Sequence, residues 1–92
     1  MTTDYVLRAR QSLEAQRHGL QIAAVSYQRI AAAFYASSVH YLTMIDNYPT
    51  APHQKRTGWR RLAMKDRALS AKMYDAAYYT LNLLSKLPPK EI

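Results

Sequence analysis

An all-α fold is predicted by three observations. Chain punctuation is sparse, large apolar residues recur in steps of three, four and seven, and no segment sustains a period of two. Two glycines and four prolines interrupt 92 residues, and two of the prolines, Pro49 and Pro52, fall together in D-N-Y-P-T-A-P-H. The expected architecture is a single domain of long antiparallel helices, at about 4–47 and about 58–87, with a connecting loop at 48–57 and a tail at 88–92.

The first helix carries a seven-residue repeat. Val6, Leu13, Leu20, Tyr27, Phe34 and Tyr41 form one row, and Ala9, Gln16, Ala23, Ile30, Ser37 and Met44, three positions on, form a second and less regular one. Gly19 leaves two readings open. Either Arg17 and His18 close a short helix with Gly19 as its left-handed cap, or one helix of roughly 65 Å runs through, bent or straight. The unbroken heptad phase favours continuity, because a mid-helix glycine costs only about 1 kcal/mol. Residues 31–38, A-A-A-F-Y-A-S-S, are nearly all small and suit a close approach of helix axes.

The second helix is more regular. Trp59, Leu62, Asp66, Leu69, Met73, Ala76, Thr80, Leu83 and Leu87 step by three and four throughout, with Asp66 and Thr80 as polar exceptions. Thr57 is placed to cap its start and Pro88 to stop it. Asp66 reads as a register-setting polar residue, with Arg29 of the first helix as its candidate mate. Trp59 is either a base-stacking platform or a core residue, and its place at the head of the apolar series favours core.

A chain this short buries only about 60% of its unfolded surface. It has no cysteine, so disulfides and thiolate–zinc sites are excluded, and His18, His40 and His53 lack ligand spacing. No cofactor or metal is expected. Pairing of two hairpins into a four-helix bundle, a homodimer rich in interfacial tyrosine, is the expected support. No apolar run reaches the length of a membrane span, and the opening M-T-T-D-Y-V-L-R lacks the order of a signal peptide, so a cytoplasmic protein without a membrane partner is expected.

Thirteen Lys and Arg against six Asp and Glu give a formal charge of +7, and residues 55–67, K-R-T-G-W-R-R-L-A-M-K-D-R, supply +5 of it. Lys55, Arg56, Arg60, Arg61, Lys65 and Arg67 are the candidate site. Basic side chains spread around a helix track a phosphate backbone without reading bases. An acidic protein surface is the other partner such a field suits. No phosphate-binding loop, nucleophile elbow, zinc-protease motif or paired-carboxylate signature is present, which argues against an enzyme.

R-A-R-Q-S-L-E-A-Q-R, then V-S-Y-Q-R-I-A-A-A-F-Y-A-S-S-V-H-Y-L, the loop P-T-A-P-H-Q-K and a last helix with M-Y-D-A-A-Y-Y resemble small HEPN domains, helical bundles of bacterial and archaeal toxin–antitoxin and defence systems. The resemblance implies a homodimer with a basic cleft, acting as a ribonuclease or as partner of a minimal nucleotidyltransferase. The chain departs from the family's ribonucleases in lacking their Arg-x4-6-His motif, and Arg67 with Tyr74 is only a distorted echo of an Arg–Tyr variant. The sequence thus points to a small basic module that binds a nucleic-acid backbone or a nucleoprotein complex, a component or inhibitor in a defence or mobile-element system. An HEPN-type ribonuclease with a degenerate motif and an adaptor for an acidic protein are the alternatives.

Overall fold

In the computed structural model, which describes residues 2–88, the chain is an antiparallel hairpin of α1 (Thr2–Asn47) and α2 (His53–Ser85). It forms a rod of 75 × 16 × 14 Å. Helix α1 runs through Gly19 without interruption. Neither glycine has a positive φ, and a Cβ on either would meet no atom within 4 Å. Gly19 is therefore an ordinary helical residue and no cap.

The turn is tighter than the loop expected at 48–57. Pro49 restrains Tyr48 from helical geometry, so α1 closes with the Tyr48 amide on the Met44 carbonyl at 3.0 Å. The Ala51 amide then donates to the Tyr48 carbonyl at 3.1 Å. Pro52 caps α2 with φ −55° and ψ 143°, and its carbonyl accepts from the amides of Lys55 (3.0 Å) and Arg56 (3.1 Å). Five residues expected in the loop, 53–57, thus form the first helical turns. Thr57 is no cap; its hydroxyl lies 3.5 Å from Nε2 of His53 within the helix. At the far end the amides of Lys86 and Leu87 bond the carbonyls of Leu83 and Leu84. The Arg17 guanidinium donates to the carbonyl of Pro88, tying α1 to the residue that follows α2's last turn. Beyond Pro88 the expected tail lies outside the described residues.

Both arms obey a heptad, but the seam is not the one read from the sequence. On α1 the row Leu13, Leu20, Tyr27, Phe34 and Tyr41 faces α2 as expected. Its companion is Ala24, Ala31, Ser38 and Ile45, four positions on, in place of Ala23, Ile30, Ser37 and Met44. On α2 the row Trp59, Asp66, Met73 and Thr80 faces α1 as expected, and Leu87 continues it just past the helix end. Its companion is Ala63, Ser70, Ala77 and Leu84, in place of Leu62, Leu69, Ala76 and Leu83. Size decides the difference. Small residues let the two backbones approach until the Ser70 hydroxyl donates to the Ala31 carbonyl on the other helix at 2.8 Å. Ser38 and Thr80 are buried further along the seam, and each returns its hydroxyl to a carbonyl of its own helix, at 2.6 and 2.8 Å. Leucines in that row would hold the axes further apart.

The displaced rows flank the seam on one side. Ile30, Leu62 and Leu83 are 43, 42 and 36% exposed, and Ala23, Ser37, Met44, Leu69 and Ala76 are half-buried. Heptad geometry puts both rows on one broad face of an antiparallel pair. Met44 and Lys55 meeting around one pocket at the turn bear that out. The opposite flank carries Gln21, Gln28 and Tyr35 from α1 and Arg60, Arg67 and Tyr74 from α2, with the Arg67 guanidinium 5.7 Å from the centroid of the Tyr35 ring.

No described helix is long and apolar enough to cross a membrane. Residues 4–12 of α1 are exposed along their whole length. These nine residues, about two and a half turns of helix, lie N-terminal to the level at which Arg17 meets Pro88.

Candidate anionic-partner surface

Helix α2 concentrates the charge near the turn. Lys55, Arg60, Arg61, Lys65 and Arg67 are exposed, and Arg56 is half-buried. The seven-residue phase distributes them around the rod. Arg60 and Arg67 occupy one flank, Arg61 points directly away from the seam, and Lys65 lies on the other side with Lys55 beyond it. Residues 55 to 67 span about 18 Å of helix at 1.5 Å per residue. The result is a basic collar around the second arm rather than a stripe.

Among the described residues, no hydrogen bond or ion pair engages the side chains of Lys55, Arg60, Arg61 or Lys65. Asp66, the one acid within the stretch, is half-buried on the seam side, turned from these cations. The mate expected for it is not there. Arg29 lies on the outer surface of α1, in a shallow depression with His18, Gln21, Ile22, Val25 and Ser26, and no contact joins the two. The heptad explains the separation, since Arg29 occupies the position diametrically opposite α1's seam.

Two of the six candidates are partly committed to the fold. Arg67 sits over Tyr35. Arg56 falls in the small-residue row of the seam, and its Nε is buried without a hydrogen-bond partner among the described residues. Its aliphatic stem packs while its terminus reaches the surface. Lys72, exposed one heptad after Lys65, extends the same side towards mid-rod. Its seven-residue spacing from Lys65 was the available signal.

At the turn, Met44, Tyr48, Ala51, Pro52, Lys55 and Trp59 line an open pocket of about 190 Å³. Trp59 is half-buried there, its ring centroid 6.3 Å from that of Tyr48 at an interplanar angle of 49°. Its indole is therefore a packing element, while the exposed Tyr48 ring stands at the edge of the collar. No group of three or more His, Cys, Asp or Glu suited to a metal occurs among the described residues.

Comparison with family models, curated proteins and solved structures finds no match to this chain.

Proposed function

We propose that the chain is a small non-enzymatic binding module that engages a nucleic-acid backbone, free or within a nucleoprotein complex, without reading base sequence. The observation that carries this reading is the set of four exposed cations, Lys55, Arg60, Arg61 and Lys65, that no acid neutralises. A convex collar on a rod presents charge in several directions. It contacts phosphates of one or two strands, and its concavities, one lined by His53, Gln54, Thr57, Gly58 and Arg61 and one by Tyr48, Lys55 and Trp59, are open to solvent. Tyr48 adds an exposed ring beside Lys55, a place for one unstacked base.

Fluorescence anisotropy with labelled single- and double-stranded DNA and RNA across a salt series tests the proposal. Neutralising four phosphates corresponds to a slope of about −3.6 in log affinity against log salt for duplex DNA, and about −2.8 for single strands. Arg60→Glu with Arg61→Glu lowers the formal charge from +7 by 4, to +3, and binding should fall at least about 100-fold while helix content holds. Unchanged affinity in the double mutant removes the site. Absence of binding at low salt, with an acidic protein bound instead, makes the collar a protein-docking surface. RNA shortened during the same incubation would return the ribonuclease reading.

A further inference from the structure

We infer that the broad face carrying Ile30, Met44, Leu62, Leu69 and Leu83 is the contact with a second copy of the chain, two hairpins stacking into a four-helix bundle. This inference is independent of what the basic collar binds.

The first support is the area the hairpin leaves uncovered. A compact chain of 10.6 kDa exposes roughly 5,500 Å², whereas this one exposes 7324 Å². The surplus, about 1,800 Å² per chain, exceeds the ~800 Å² per partner of a standard interface. Among the described residues, the eight that are buried include a single large hydrophobe, Ile45; the others are alanines, serines and a threonine. The small-residue seam has moved the leucines out of the hairpin's interior, and their apolar area is still in water.

The second support is where that area lies. In the two rows flanking the seam on this side, from Ala23 to Met44 and from Leu62 to Leu83, no residue is charged. On the opposite flank the α1 row Gln21, Gln28, Tyr35 and Leu42 is also uncharged, but it faces an α2 row that carries Arg60 and Arg67 ahead of Tyr74 and Leu81. The paired length of α2 is about 50 Å and the rod is 16 Å wide, so the face measures about 800 Å², the size one copy contributes to a standard interface. An acidic partner would find complementary charge only at the face's turn end, where Lys55 precedes Leu62 in the same row. A second identical face supplies matching length, matching apolar character and closed two-fold symmetry. The outer side of α1 extends the same character, since Gly19–Ile45 holds one Lys, Arg, Asp or Glu, Arg29, in 27 residues.

Sedimentation equilibrium and cross-linking decide the matter. The unmodified chain should show twice its 10.6 kDa mass, and Ile30→Glu or Leu69→Glu should return it to one chain. Met64→Glu, at a 67% exposed position on the far side of α2, should leave two. Because the chain has no cysteine, Leu69→Cys and Met64→Cys each introduce a single thiol. A short bis-maleimide should join copies through Leu69→Cys, near mid-face, and not through Met64→Cys. If a Glu variant loses its helix signal, this cysteine comparison still decides. A single-chain mass for the unmodified protein, a two-chain mass surviving both face variants, or equal cross-linking at the two cysteines would overturn the inference.

Discussion

Ser70 shows how one hydroxyl fixes the register of two helices. It is buried, and its hydrogen bond to the Ala31 carbonyl requires the backbones to stay within reach of a two-atom side chain. Ser70→Ala keeps the close approach and loses one neutral hydrogen bond, a cost of about 1 kcal/mol. Ser70→Leu also forces extra carbons between the backbones, for a total of about 3 kcal/mol. Urea titration should show a modest fall in midpoint for the first variant and a much larger one for the second. A neutral or stabilising Ser70→Leu would restore the seam to Leu69's row. That row was the natural reading of the sequence, because ranking by hydrophobicity prefers leucine to serine and isoleucine to alanine. The half of the seam made of large residues, Leu20, Tyr27 and Phe34 with Trp59 and Met73, was legible for the same reason. The small half was not, since its contribution comes from distance between backbones and not from apolar area. In the collar, the types and positions of the cations were legible. Arg67's aromatic partner was not, because it depends on which residues the turn brings opposite one another.

Among the elements, α1 is divided into two regimes. From Leu13 onward it has α2 against it, while residues 4–12, with Tyr5, Val6 and Leu7, are exposed. Isolated helices below about 12–15 residues are marginal in water, so those turns depend on continuity with the paired part. Amide hydrogen exchange should grade accordingly. Exchange should be fastest in 4–12 and slowest around Ala24–Ser38 and Ala63–Ala77. Protection in 4–12 equal to that of the paired region would mean that another surface covers those turns. The helices and their order were readable from spacing alone. The start of α2 lies five residues earlier than expected because Thr57 invites a capping assignment, whereas Pro52, with its fixed φ and a carbonyl that accepts from the Lys55 and Arg56 amides, begins the helix without a side-chain cap.

For the whole molecule, shape is the informative quantity. A compact chain of this length has a radius of gyration near 12 Å, and the hairpin has 21.2 Å. Side-by-side stacking at the usual interaxial spacing of 8–10 Å barely alters that figure, to about 22 Å. End-to-end association of rods 75 Å long would raise it to roughly 40 Å. Small-angle scattering should therefore find a doubled mass at a nearly unchanged radius. A radius near the end-to-end value would exclude the lateral arrangement. Charge divides the molecule as well: α2 holds seven Lys and Arg to two acids, and α1 four to three.

That division has an order in time. Translation delivers α1 before α2, and Ala24 faces Ala77 only after all the residues between them have been made. At about 5–20 residues per second, the nearly uncharged stretch from Gly19 to Ile45 waits several seconds for the arm that covers one side of it. Nascent chains on one messenger carry such stretches close together, and two of them can shield each other before either has a second helix. Dimers assembled that way would pair copies from the same polysome. Two tagged versions expressed from separate messages would then mix less than two versions combined after purification.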